Sequence, residues 1–146
     1  MDNMAQRLQQ YITTELTDAA YYRELARSAP NDSDYQLLLN MADNEQVQAE
    51  SFKKLYRSIT GRNCNAAAAP LSFSGSYEDA LRERALSESA DCRAYADQYL
   101  AAQNPAYKRA CFCANANANM HCQLLLCMLT QEEGVSPASR STLENS

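Results

Sequence analysis

Glu15-Leu16-Thr17-Asp18-Ala19-Ala20-Tyr21-Tyr22 is echoed 73 residues later, where Glu88, Asp91 and Tyr95 take the places of Glu15, Asp18 and Tyr22. The same offset, with no gap, sets Leu8 against Leu81, Asn31 against Asn104 and Asn44 against Asn117. It also sets Glu45 against Ala118 and Gln48 against His121. A constant offset over so long a span marks two copies of one structural unit. In each copy a helix with a carboxylate at the centre of its apolar face precedes a helix that places chemistry-bearing positions at i and i+3. Two such pairs predict an all-α four-helix bundle with a carboxylate metal site at mid-height.

Composition agrees with a helical domain. A chain of 146 residues makes one domain with a real core. Three Gly and four Pro leave few turn residues for a sheet protein. The net charge of -5 argues against nucleic acid as the partner. No charged-then-apolar leader opens the sequence, and residues 124–129 are too short an apolar run to span a bilayer. The expectation is a soluble cytoplasmic protein with no membrane contact, whose six Cys are reduced and mostly packed as small apolar groups.

Working outward, helix 1 is expected over about residues 3–28, with Leu8, Tyr11, Ile12, Glu15, Ala19, Tyr22 and Ala26 on one face and Pro30 as its stop. Asn31 to Asp34 form an N-cap cluster for helix 2, which runs to about Thr60 with Gly61 as C-cap. Ser76 with Asp79 imitates a capping box for helix 3, and Asn104-Pro105 starts helix 4, which ends near Gly134. The alternating Ala and Asn of residues 114–119 suit a helix poorly, yet the helical stripe continues on both sides. The bundle is thus expected over 1–135, as helix pairs 3–61 and 76–133 joined by a crossover at 62–75. That crossover is long enough to return helix 3 parallel to helix 2. Residues 136–146 read as a loose tail.

Glu15, Glu45, Gln48, Glu88 and His121 (the only His in the chain) interrupt the apolar stripes at matched positions, and oxygen and nitrogen donors of this kind suit iron, manganese or zinc. Gln48 reads as a hydrogen-bond partner of Glu15 as well as a candidate ligand. Tyr22 and Tyr95 lie two turns beyond Glu15 and Glu88 and read as core aromatics with polar tips that can reach the carboxylates. Cys92 and Cys111 read as buried thiols.

Residues 15–26 and 42–50 resemble the first and second helices of the ferritin-like superfamily, rubrerythrin-type branch, and the 62–75 connection resembles its crossover. The resemblance covers about residues 3–133. It implies a ferritin-like fold, a pair of metal ions, usually iron, and peroxide- or oxygen-linked redox chemistry or iron oxidation and storage. It places Glu45 as a bridging carboxylate and Glu15, Glu88 and His121 as ligands, with Asp91 at an additional carboxylate position on helix 3. Against that pattern Ala118 replaces the second bridge and Gln48 replaces one imidazole, and no Cys-x-x-Cys pair provides an electron-transfer module. The expectation is a degraded di-metal site holding one or two ions (iron, with manganese or zinc as substitutes), or none if the site is dead. Residual peroxide- or oxygen-linked oxidoreductase activity would follow, with an unidentified electron donor and no residue assigned a catalytic role. The alternative is a non-enzymatic structural or interaction bundle that has lost its metal. A homodimer is implied by the resemblance alone.

Overall fold

The structure, a computed structural model, describes residues 2–73 and 75–134. The expected tail at 136–146 lies outside the described residues. Four helices follow one another: α1 (Asp2–Ala26), α2 (Asp32–Thr60), α3 (Tyr77–Ala101) and α4 (Pro105–Gly134). No strand occurs among the described residues, so the chain is an all-α four-helix bundle. None of these helices is long and apolar enough to cross a membrane.

Local chemistry fixes the helix ends. Asn31 Oδ1 accepts from the Asp34 N–H at 2.9 Å, and Asp32 and Asp34 complement the dipole of the first turn of α2. Gly61 closes α2 in the left-handed region (φ 70°), and its N–H donates to Arg57 O at 2.8 Å. The capping box of α3 is complete: the Asp79 N–H donates to Ser76 Oγ at 3.1 Å and the Ser76 N–H to Asp79 Oδ2 at 3.0 Å. Gly75 precedes it at φ 85°, where a Cβ would lie 2.6 Å from Asp79 Oδ2. Asn104 Oδ1 accepts from the Tyr107 N–H at 2.9 Å, one residue ahead of Pro105. Helix α1 ends at Ala26, two residues earlier than its periodicity predicts, in a turn where the Arg27, Ser28 and Ala29 N–H groups bond three residues back. Ser76→Ala removes half of the capping box and is expected to lower the unfolding free energy by about 1 kcal/mol, read from the urea midpoint at unchanged slope.

Two apolar clusters reveal the topology. One holds Leu8 and Ile12 from the start of α1, Phe52 and Leu55 from the end of α2, Tyr95 from the end of α3 and Tyr107 from the start of α4. The other holds Leu25, Leu38, Leu81 and Met128, which come from the opposite ends of the same helices. Hence α1 and α4 run one way, α2 and α3 the other. A parallel α2 and α3 require their connection to travel the length of the bundle, and it does so along α1. Cys64 and Ala66 pack on the first cluster, the Ala69 N–H donates to Thr17 Oγ1 at 2.8 Å, and Phe73 stacks on Tyr21 with centroids 4.4 Å apart. The crossover expected at 62–75 is therefore present. Between the clusters all four helices present polar side chains at one level.

Candidate metal centre

Glu15, Asp18, Glu45, Gln48, Arg84, Glu88 and His121 are all buried in this belt. Removing charged groups from water costs several kcal/mol each unless partners compensate them, so each group's partner carries meaning.

Glu45, Glu88 and His121 converge. His121 Nδ1 lies 2.8 Å from Glu45 Oε1 and 3.5 Å from Glu88 Oε1. One donor atom from each of the three residues lies within 4.8 Å of the other two. They come from α2, α3 and α4, so the set exists only when the two helix pairs have docked. The outer nitrogen of the ring, Nε2, faces the Asn44 amide nitrogen at 3.4 Å.

Tyrosines exchange between the two copies of the repeat. Tyr22, on α1, donates to Glu88 on α3, and Tyr95, on α3, donates to Glu15 on α1. Each copy therefore completes the carboxylate of the other. The asparagines follow the same rule. Asn44 meets His121 across the bundle, and Asn117 Nδ2 donates to Gln48 Oε1 at 3.4 Å.

Electrostatics divides the acids. Burial pushes Glu15 well above the ordinary carboxylate range, and its hydrogen bond and charge repulsion with Glu45 add to this. Burial also pushes Glu45 up to about 8, opposed by the bond from Glu15 and reinforced by repulsion from Glu88. Asp18 is raised by burial although Arg84 pulls it down. For Glu88 burial acts upward too, but the bonds from His121 and Tyr22 and the charge of Arg84 outweigh it and hold the group below its usual value. The belt thus favours the neutral forms of Glu15, Asp18 and Glu45 and the ionised form of Glu88.

The sequence-predicted residues divide accordingly. Glu45, Glu88 and His121 form one donor set. Glu15 adjoins it through Glu45. Asp91 is half-buried outside it, raised to about 7 by burial and by the charges of Asp18, Glu88 and Glu15. Gln48 does not bond to Glu15 as expected. Its Oε1 accepts from Asn117, and its Nε2 donates to Ala110 O at 3.4 Å, which commits both ends of the amide to α4. Ala118 is buried and offers no donor. Cys111 is fully buried in the first apolar cluster, its thiol pushed up to about 11 by burial, and Cys92 Sγ accepts from Asn115 Nδ2 at 3.2 Å.

Arg84 was not among the expected site residues. Its Nη2 lies 2.8 Å from Asp18 Oδ2 and 3.5 Å from Glu88 Oε1, as ion pairs outside hydrogen-bond geometry. Its Nε donates to the Tyr22 hydroxyl at 3.4 Å, and the guanidinium lies 5.3 and 5.2 Å from the Tyr21 and Tyr22 ring centroids. The signal that would have found it is the repeat itself. The offset of 73 places Arg84 opposite Tyr11, a position on the buried face of α1.

Comparison with protein-family models, with curated proteins and with solved structures gave no match.

The donor set fits a divalent transition metal. Two carboxylate oxygens and one imidazole nitrogen are the ligands that iron, manganese and zinc accept. Arg84 offsets Asp18, one divalent ion would offset Glu45 and Glu88, and burial favours the neutral form of Glu15. The buried belt then closes near neutrality.

Proposed function

We infer that the chain is a metal-binding bundle of the ferritin-like, rubrerythrin-type kind whose centre is reduced to one divalent ion, iron, manganese or zinc. The observation that carries this reading is the meeting of Glu45, Glu88 and His121 donor atoms within 4.8 Å, all buried, from three helices. The gap-free repeat supports it, because Glu45 and His121 come from the corresponding helices, α2 and α4, of the two copies. Iron bound to such oxygen and nitrogen donors supplies one-electron chemistry toward peroxide or oxygen. The protein's part is to hold the donors and keep bulk water out. Tyr22 and Arg84 orient Glu88, and Tyr95 fixes Glu15 against Glu45. Ala118 is buried beside the centre and leaves that side without a protein donor. Glu45 must shed its proton before it can ligate, so loading is favoured by rising pH.

A second reading has its own support. Every carboxylate of the belt's centre already has a protein partner, as expected of a metal-free structural bundle.

Elemental mass spectrometry on protein purified without added metal separates the two. The expected result is roughly one equivalent of Fe, Mn or Zn per chain, falling below about a tenth in Glu45→Ala, which removes a central ligand. A wild-type chain that stays below about a tenth of an equivalent after anaerobic Fe(II) loading would establish the metal-free bundle instead.

A further inference from the structure

Helix α4 has an outer face that the bundle itself does not use. Cys113, Ala116, Met120, Gln123, Cys127 and Thr130 are all exposed and fall at alternating steps of three and four residues. That spacing makes one stripe along a helix, the seam by which two helices pack. Phe112 and Leu126 stand exposed beside it, and Leu126 shares a shallow apolar groove with Leu86 of α3. No Asp, Glu, Lys or Arg lies between Arg109 and Glu132.

A helix face turned to water normally carries charges. Helices α2 and α3 do so: Asp43, Glu50 and Lys54 are exposed on the first, Arg82, Glu83 and Arg93 on the second. Cysteine is normally among the most buried residues, yet two lie open on the α4 stripe. A face that is uncharged, partly apolar and set with open thiols has the composition of a contact surface. The alternating Ala and Asn of residues 114–119 fit this use. Ala114 and Ala118 are buried, and Asn115 and Asn117 bond to α3 and α2. That leaves Ala116 and Asn119 outside, short enough to let another backbone come close.

Charge and symmetry identify the occupant. A net charge of -5 makes copies repel wherever their charged surfaces meet, and α4 offers a contact free of that repulsion. A twofold contact also needs a surface that complements itself. Met120 is the midpoint of the stripe, with Cys113 seven residues before it and Cys127 seven after. Two α4 helices laid antiparallel, with Met120 on the twofold axis, set Cys113 of each copy opposite Cys127 of the other. The uncharged stretch is about 33 Å long, close to the width of a round patch of about 800 Å² per partner, the size of a standard interface.

We propose that the chain pairs with a second copy of itself through the outer face of α4, antiparallel about Met120. The pairing is independent of any ion at the centre.

Sedimentation equilibrium of the full chain at about 50 µM is expected to give twice the mass of one chain. Met120→Glu and Met120→Lys are expected to weaken pairing at least about 100-fold, because like charges then face each other across the axis. Both should keep the wild-type circular dichroism, which separates lost pairing from lost folding. Gln10→Glu, at an exposed site on α1, should pair as the wild type does. A short bismaleimide reads the register. The wild type should yield a covalent dimer, Cys113→Ser and Cys127→Ser should each lose it, and a mixture of the two variants should regain it. A wild type that sediments as a monomer at this concentration overturns the proposal, as does a Met120→Glu chain that pairs as tightly as the wild type. Cross-linking that survives in either cysteine variant alone overturns the antiparallel register.

Discussion

At pH 7 the Arg84→Met variant is expected to be less stable than the wild type by about 3–5 kcal/mol, because one partner of a buried ion pair is removed and the other is stranded. Methionine can fill much of the space of the arginine stem, so lost packing is the smaller part. The larger part is Asp18, which is buried, already raised by that burial, and held down chiefly by the guanidinium 2.8 Å away. The loss should shrink as the pH is lowered, because protonation relieves the stranded Asp18. It should also shrink when Asp18→Asn is added, since replacing both members of a buried pair can be nearly neutral. Urea unfolding of the four proteins of this double-mutant cycle measures the coupling. Arg84→Met costing the same with and without Asp18→Asn would exclude the pair as its cause.

The metal-free protein should be markedly less stable in mild alkali than in mild acid. Glu15, Asp18, Glu45 and Asp91 all have folded pKa values above their unfolded ones, with Glu45 at about 8 and Asp91 at about 7. The folded chain therefore binds more protons than the unfolded chain, and the slope of stability with pH is negative. The stabilisation is complete below the unfolded carboxylate values near pH 4 and is lost as pH rises through about 7 and 8. Glu88 has the opposite sign, but its depressed value places its window below that range. Between pH 5 and pH 8.5 the loss should reach several kcal/mol, read as a Tm that falls steadily with rising pH. Added Fe(II), Mn(II) or Zn(II) should restore more stability at pH 8.5 than at pH 5, because ion and protons compete for the same carboxylates. A thermal scan of chelator-treated protein that stays flat across this range would show that the belt holds no extra protons.

Much of this was readable from residue order. Asn31, Gly61, Ser76 with Asp79, and Asn104 with Pro105 each perform a local task set by nearby backbone, and all appear at their expected places. The belt followed from the repeat, because matched offsets place Glu15 and Glu88, or Gln48 and His121, at one height. Partnership across the bundle was harder to read. Helical periodicity gives the face a side chain occupies but not the rotation that decides which neighbour it meets. Gln48 accordingly bonded to Asn117 and Ala110 rather than to Glu15. Tyr22 and Tyr95 each reached the glutamate of the opposite copy, 66 and 80 residues away. Arg84 was hidden for a different reason. An arginine within a charged helix is ordinarily a surface group, and only its alignment with Tyr11 betrays an interior place.

The seclusion of the three donors bears on how an ion would come to be there. His121 is 0% exposed, Glu88 2% and Glu45 3%, and they sit on three helices that must part before anything enters from solvent. Exchange is then limited by the rate at which the bundle opens, whatever the affinity of the closed site. An ion at hand when the helix pairs close would then be displaced by a tighter-binding competitor only as fast as the bundle opens. The occupant would record the surroundings in which the protein folded more than the order of affinities that would hold at equilibrium.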